Sequence, residues 1–408
     1  MLKPKTLARY DQPVPRYTSY PTAPHFTEAV DATTHARWLA EIPGGDSLSL
    51  YVHIPFCDTM CWFCGCHTRI VNRYEPIAAY LDHVTAEVER VAGTLGKRHR
   101  ASHVHWGGGT PTSLAPADIL RLSDALRTHF DFDEESEFAV ESDPRGVGEE
   151  TIAALGQAGV TRVSLGVQDF SPRVQQAVNR IQPFDETKRV IDSLRSVGIA
   201  EINIDLMYGL PHQGTDELLA TAEKVLELEP TRLALFGYAH VPWMKVHQRM
   251  IDEDALPGTE ARWQQAGAAR VFLEEHGFTT IGLDHFARDD DPMAAALKAG
   301  VLHRNFQGYT TDRANTLIGF GASSISSLPA GYVQNFPQLN LYRRTLDEGR
   351  LPTARGVELT PDDRLRRGVI ERLMCDFEID LGQICAEHGE TADALAEARP
   401  RLEELAAD

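Results

Sequence analysis

The sequence contains no run of eighteen apolar residues, which excludes a hydrophobic helix long enough to cross a bilayer. It is also short of positive charge, with 40 Lys and Arg against 59 Asp and Glu, a net charge of −19. That balance argues against a nucleic-acid surface, which presents clustered basic side chains. It also means that an anionic ligand needs a local basic pocket to overcome the mean field. There is no low-complexity tract and no short repeat. The opening Met1-Leu-Lys-Pro-Lys-Thr-Leu-Ala-Arg-Tyr10 lacks an apolar h-region, so no secretory signal is predicted and a reducing, cytoplasmic setting is expected. Structural disulfides are therefore not expected. The Asp289-Asp290-Asp291 run, ending in a proline turn, reads as a solvated loop rather than a metal site.

Cysteine is scarce, 6 in 408 residues, yet four of the six fall in one stretch: Cys57, Cys61, Cys64 and Cys66. The C-x-x-x-C-x-x-C spacing of the first three brings three thiolates together on one tight loop. A cubane of four irons wants a soft sulfur ligand on each. Three local thiolates leave one iron open to an exogenous molecule. Structural zinc is the main alternative, with His53 or His67 completing a tetrahedron, although such sites usually use two separated ligand pairs. Cys66 reads either as a further member of the loop chemistry or as a packed thiol beside it. Cys375 and Cys385 sit in a helical-looking region and are expected to be ordinary buried residues.

Strand-like runs alternate with helical periodicity from residue 48 to about residue 285. Strands are predicted at 48–54, 103–106, 137–141, 162–168, 201–206, 232–238 and 279–283. Helices are predicted at 77–95, 116–130, 149–158, 184–197, 215–228 and 260–276, several closed by glycines such as Gly159, Gly198 and Gly277. Short links between alternating elements imply an α/β fold with a parallel sheet, and six or more units imply a full or partial β/α barrel. Such sheets carry their chemistry at the strands' C-terminal ends. The cysteine loop follows the first predicted strand and Gly107-Gly108-Gly109-Thr110-Pro111 the second, while Glu141, Gln168 and Asp205 end the next three. Consecutive glycines let backbone approach a ligand that a Cβ would block, although a tight turn explains them equally well.

The cysteine and glycine motifs together resemble the radical S-adenosylmethionine enzymes. Within them the chain is similar to the oxygen-independent coproporphyrinogen III oxidases over nearly its whole length. The resemblance runs from Tyr10-Asp-Gln-Pro-Val-Pro-Arg-Tyr-Thr-Ser-Tyr-Pro-Thr22 through Cys64-Gly-Cys66, His105-Trp-Gly-Gly-Gly-Thr-Pro111 and Glu141-Ser-Asp-Pro-Arg145. It continues through Gly166-Val-Gln-Asp-Phe170, Asn203-Ile-Asp-Leu-Met-Tyr-Gly209, Gly237-Tyr-Ala-His-Val-Pro242 and Asp284-His-Phe-Ala-Arg288, and on to His303-Arg-Asn-Phe-Gln-Gly-Tyr309 and Arg366-Arg367-Gly-Val-Ile370. The N-terminal segment and the fourth cysteine point to the oxidases rather than to their haem-chaperone relatives, the alternative reading.

The resemblance implies a 4Fe-4S cluster on Cys57, Cys61 and Cys64, and S-adenosylmethionine bound to its open iron. It implies that Tyr51, Gly109, Glu141 and Ile325 contact that molecule. Phe63, Thr110, Pro111, Gln168, Arg180, Asp205 and Ala239 would line an adjacent site for a second S-adenosylmethionine. A radical made from the cofactor would convert two propionates of coproporphyrinogen III to vinyl groups, giving protoporphyrinogen IX. An unidentified reductant and electron acceptor are implied, and a monomer is expected. Because the substrate carries four carboxylates, Arg16, Tyr20 and Arg304 are candidates to hold it, with Lys245, Tyr17 and Tyr309 nearby in matched segments. The expected organisation is an N-terminal extension over the site (1–46), a radical-enzyme barrel (47–285), a barrel-capping and linker region (286–357) and a smaller, incomplete helical C-terminal domain (358–408). The chain ends at Asp408 in Ala- and Glu-rich helix where family members continue.

Overall fold

A computed structural model describes residues 4–12, 14 and 17–406. Arg16 lies outside the described residues. The strands that position the site are β1 (Leu48–Ile54), β2 (Ala101–Gly108), β3 (Glu137–Ser142), β4 (Arg162–Gln168), β5 (Glu201–Tyr208) and β6 (Arg232–Gly237). They are followed by β7 (Phe278–Ile281), β8 (His285–Arg288), β9 (Thr316–Phe320), β10 (Ile325–Ser327), β11 (Gly331–Asn335) and β12 (Thr353–Glu358). Among the described residues these form one sheet in the order β12-β11-β10-β9-β1-β2-β3-β4-β5-β6-β8-β7. The seven central strands, β9 and β1 to β6, run parallel.

Two sequence expectations need correction. The run predicted at 279–283 is not a parallel barrel strand: β7 pairs antiparallel with β8, which pairs antiparallel with β6. Gly277 and Gly282, both at positive φ, bracket β7, and with no crossover helix after it the chain turns back into the antiparallel β8. Second, residues 286–357, expected to cap the barrel, also supply β9 to β12, with β9 lying parallel to β1 at the heart of the sheet. Their short strands, broken by glycines and serines, lack the long helical partners that made the earlier units readable.

Helices cover the outer face. Glu75–Leu95 presents Ile77, Leu81, Val84, Val88, Val91 and Leu95 to the core and ends at Gly96 in the left-handed region. Along β1 the apolar Leu50, Val52 and Ile54 are buried, while Ser49, Tyr51 and His53 alternate with them on the inner face. Near the strands' N-terminal ends the interior is closed by charge pairs. Arg232 Nε donates to both oxygens of Asp291 at 3.0 and 2.9 Å. Arg162 pairs with Glu137 at 3.4 Å and Glu201 at 3.2 Å, and His103 with Asp312 at 3.1 Å. Asp291 therefore is not part of a solvated loop; it is buried and also caps the helix Pro292–Lys298. At the C-terminal side, Pro361–Asp376 opens with a Thr360–Asp363 capping box and packs with Leu381–Glu387 around Leu365, Ile384, Cys385 and Leu395. Cys375 is buried in a separate apolar cluster with Ile281, Leu302 and Tyr309.

A buried carboxyl ties this sheet to its helical cover. Glu87 accepts from the Tyr342 hydroxyl at 2.6 Å, the Gly321 amide at 2.7 Å and the Asn335 amide at 2.6 Å. Burial pushes it up to about 7, despite those donors. A carboxyl whose pKa is raised on folding binds more protons in the native state, so stability falls as pH rises from the unfolded value near 4.5 to about 7, then levels off. Glu87→Gln removes that slope and turns an amide donor toward other donors. Denaturant titration is expected to show a loss of about 1–3 kcal/mol at pH 6 and a shallower fall of stability between pH 4.5 and 7; unchanged stability and slope would refute the role.

Candidate functional site

The cysteine loop leaves the end of β1, and its base is closed by a short parallel ladder between Phe56–Cys57 and Arg69–Ile70. Its own backbone makes only one tight turn, the Cys64 amide donating to the Cys61 carbonyl at 3.1 Å. The rest of its backbone is held from outside. Asn179 donates to the Met60 carbonyl at 2.8 Å and the Trp62 amide donates to Val178 at 3.0 Å. From the segment after β6, Gln248 Nε2 donates to Phe63 at 3.1 Å, His247 Nε2 to Cys64 at 2.7 Å and Lys245 Nζ to Cys66 at 3.0 Å. Lys245, a sequence candidate for the substrate's carboxylates, thus holds the loop's backbone.

The thiols differ in electrostatic setting. Cys61 is buried, and both Arg145 Nη2 and Arg180 Nη1 donate to its sulfur at 3.3 Å. Asp143 fixes both guanidiniums, at 2.6 Å from Arg145 and 3.0 Å from Arg180. Burial pushes the Cys57 thiol up to about 12, with the charges of Cys64, Asp143 and Cys61 adding to it. Cys64 is drawn down to about 6 by a hydrogen bond from Cys66, whose own thiol is pushed well up. Three mutually repelling sulfurs on one clamped loop are a soft donor set suited to iron. The fit rests on donor chemistry and adjacency, because no three His, Cys, Asp or Glu among the described residues stand around one point as a ready metal cage. The zinc alternative loses a ligand: His53 has one ring nitrogen on the Tyr51 hydroxyl at 3.0 Å and the other on the His67 carbonyl at 3.0 Å.

The three glycines after β2 have a local cause. A Cβ on Gly107 would meet the Glu141 carboxylate at 2.8 Å, and one on Gly108, at φ +119°, would meet the His53 ring at 2.8 Å. A Cβ on Gly109 would overlap the Phe56 carbonyl. The loop lies flat against the end of β1, with Gly109 donating to Ile54 and Thr110 to Phe56, each at 2.8 Å. Close packing inside the protein therefore accounts for all three, the space being taken by Glu141 at Gly107, His53 at Gly108 and the Phe56 backbone at Gly109.

Glu141 accepts from His105 Nε2 at 2.9 Å and from the Gly108 amide at 3.1 Å. The surrounding protein alone would raise it, but these donors and the nearby imidazole charge hold it below the usual carboxylate range. Tyr51 stacks on His105, ring centroids 5.9 Å apart. Asp205 is different: burial, then the Glu141 charge, push it up to about 6 against bonds from Ser164 and Asn203. Thr110 Oγ1 accepts from the Asp143 amide at 3.0 Å, and the buried Pro111 opens a short turn. Gln168 holds φ +69° at a bulge where β4 leaves the ladder, and the buried Arg180 donates to the adjacent Gly166 carbonyl. Phe63 packs on the cluster of Val174, Val178 and Met207, which joins the cysteine loop to this second group. Ala239 is exposed, its carbonyl accepting from Gln248 at 3.2 Å, and Ile325 opens β10. Tyr20 and Arg304 line a different cavity, lower in the barrel. Asp143 and Arg145 were within reach of the sequence, since the Glu141-Ser-Asp-Pro-Arg145 motif sets an acid and a base two residues apart. The carbonyl clamp from Lys245, His247 and Gln248 left no such signal.

Residues 51–225 match the radical SAM superfamily. The chain is 52% identical over 398 residues to the oxygen-independent coproporphyrinogen III oxidase of Bradyrhizobium diazoefficiens, covering 98% of this chain and 88% of that one. It is 41% identical to the enzyme of that name from Pseudomonas aeruginosa, with the same coverage. Among solved structures, coproporphyrinogen III oxidase from Escherichia coli, a radical SAM enzyme, superposes with a TM-score of 0.93 at 40% identity, covering 99% of this chain and 92% of that one. With the clamped thiol loop at the head of a parallel sheet, this similarity makes the chain a member of the oxygen-independent coproporphyrinogen III oxidase family, within the radical SAM superfamily.

Proposed function

We propose that this chain converts two propionates of coproporphyrinogen III to vinyl groups without oxygen, giving protoporphyrinogen IX in haem biosynthesis. Each propionate loses a β-hydrogen atom, carbon dioxide and one further electron. A 4Fe-4S cluster with S-adenosylmethionine, when bound, supplies the carbon-centred radical that removes the hydrogen, chemistry beyond acid–base side chains. The observation that carries this reading is the set of three electrostatically coupled thiols, Cys57, Cys61 and Cys64, at the C-terminal end of β1 and on the loop clamped by Lys245, His247 and Gln248. The haem-chaperone alternative gains no support from the relatives, which carry the oxidase name.

In this reading Arg145 and Arg180 donate to the sulfur of Cys61 and hold one side of the loop. Glu141, kept ionised by His105, takes the ammonium or hydroxyls of a S-adenosylmethionine bounded by Tyr51, Gly109 and Ile325. Asp205, Gln168 and Ala239, with Phe63, Thr110, Pro111 and Arg180, border a second such molecule. Tyr20 and Arg304 face the substrate's carboxylates. The chain acts as a cytoplasmic monomer, with no nucleic-acid partner, served by a separate one-electron donor and acceptor.

Anaerobic incubation with coproporphyrinogen III, reductant and S-adenosylmethionine is expected to give the divinyl product; its absence from material with a full cluster would overturn the reading. Cys57→Ser is expected to abolish retention of iron and acid-labile sulfide after anaerobic reconstitution, and a variant with a complete cluster would exclude Cys57 as a ligand. A cation beside Asp205 favours its ionised form, so uptake of the second S-adenosylmethionine should strengthen as pH rises through about 6. Equilibrium dialysis is expected to find two molecules per wild-type chain and one per Asp205→Asn chain, with the pH dependence gone. Equal stoichiometry in both would remove Asp205 from that site.

A further inference from the structure

Below the site lies a cavity of about 180 Å³, bounded by the inner face of the sheet, the segment Tyr17–Tyr20, the ribbon 303–310 and the helix Pro361–Asp376. Strand register sets its depth. Ser49, Leu317 and Ser327 stand side by side on β1, β9 and β10, and all three line the cavity. Tyr51, Gly319 and Ile325 stand two residues nearer the cysteine loop on the same strands, a separation of about 7 Å. The cavity is thus the next layer down the barrel from the residues assigned to S-adenosylmethionine above, and the inference rests on that reading.

Its charges are unevenly satisfied. Asp312 pairs with His103 and accepts from Ser49 and Ser102, and these partners hold it below the usual range against burial, which would raise it. Glu371 accepts from His303 at 2.9 Å and from the Arg304 amide at 3.3 Å. Arg304 is braced, its Nε on the Tyr17 carbonyl at 3.3 Å and its guanidinium 4.5 Å from the centre of the Tyr309 ring. Arg313 and Arg367 also line the cavity, and among the described residues neither makes a hydrogen bond or an ion pair. In a chain of net charge −19, two arginines left without carboxylates around one recess, beside acids already satisfied internally, are a local basic pocket.

We propose that Arg313 and Arg367 form a carboxylate subsite that holds a propionate arm of the tetrapyrrole while another arm reaches the radical centre. The volume suits this division, since it is well below the roughly 300–1,000 Å³ of a pocket that encloses a whole drug-sized ligand. Guanidiniums bind carboxylates in a planar fork, so a carboxylate entering the recess finds two unoccupied partners beside a braced third. The subsite selects substrate by counting its carboxylates and sets which arm is presented.

The test uses the reconstituted holoenzyme, with cluster absorbance per chain as the check on folding. Arg367→Ala and Arg313→Ala are each expected to raise KM for coproporphyrinogen III about tenfold, the effect of losing a charge-assisted hydrogen bond, with a smaller change in kcat. Arg367→Lys should recover part of the loss. Fluorescence titration with stable coproporphyrin III, a tetracarboxylate, and deuteroporphyrin, a dicarboxylate, reads selectivity directly. Wild type should favour the tetracarboxylate, and the double Ala variant should lose most of that preference. Wild-type turnover with KM and selectivity unchanged in the double variant overturns the subsite alone. A cluster-loaded wild type that yields no vinyl product but whose tetracarboxylate preference depends on these arginines overturns the assigned reaction and keeps the subsite. Absence of both product and tetracarboxylate preference overturns both.

Discussion

Holding three thiols on one short loop at the head of the sheet is the constraint around which this molecule is arranged. Burial and mutual repulsion oppose it, and the high value at Cys57 is the direct expression of that opposition. The fold answers in two ways. Two guanidiniums, pinned by Asp143, face the sulfur of Cys61. Side-chain donors from elements distant in sequence take the carbonyls of Met60, Phe63, Cys64 and Cys66. The loop cannot satisfy those carbonyls itself, having no helix or long ladder of its own, so its shape is borrowed from the segments that follow β4 and β6. An assembly of distant strands is therefore a precondition for the local ligand set.

The same economy organises the barrel interior in layers. At the bottom, arginines and acids neutralise one another in a closed set around Arg162, Arg232 and Asp291. Buried pairs of this kind are costly when broken, and they seal the N-terminal ends of the strands. Above them, near β1, β9 and β10, lies the cavity in which Arg313 and Arg367 have no carboxylate partner among the described residues. Above that, Tyr51, His105 and Glu141 form a hydrogen-bonded and stacked group beneath the cysteine loop. Charge is cancelled where the barrel must be closed and left open where a ligand of opposite sign can enter.

Much of this was legible in the sequence. The parallel core from β1 to β6 follows from alternating apolar runs and helical periodicity, because each strand is paired with a long helix that carries its own 3.6-residue signal. The placement of Glu141 and Gln168 at strand ends followed from the same alternation, whereas β5 runs on to Tyr208 and leaves Asp205 inside the strand. What was not legible has physical reasons. The strand β9 is flanked by short antiparallel pieces with no crossover helix, so nothing in its neighbourhood marks it as the partner of β1. The reversal at Gly282 falls inside the run 279–283 that reads in sequence as one continuous strand. Lys245 and His247 sit in a segment of mixed apolar and basic residues whose backbone contacts depend on tertiary closure, and Lys245 was read as a substrate cation for that reason. The glycine triplet was seen, but its cause, room for Glu141 and for the backbone of β1, needed coordinates.

Glu141 and Asp205 interact through their charges and are driven apart in acidity by their surroundings. His105 and the Gly108 amide secure the charge on Glu141, and that charge in turn raises Asp205. Two carboxylates at such range resist simultaneous ionisation unless a cation sits between or beside them. A sulfonium compound brings that positive charge, and an ammonium brings another. The pair therefore favours a cationic ligand over a neutral isostere by an amount that grows as Asp205 ionises. In the proposed reading, specificity for a positively charged cofactor resides in the coupling between the two acids, with His105 securing the charge on Glu141.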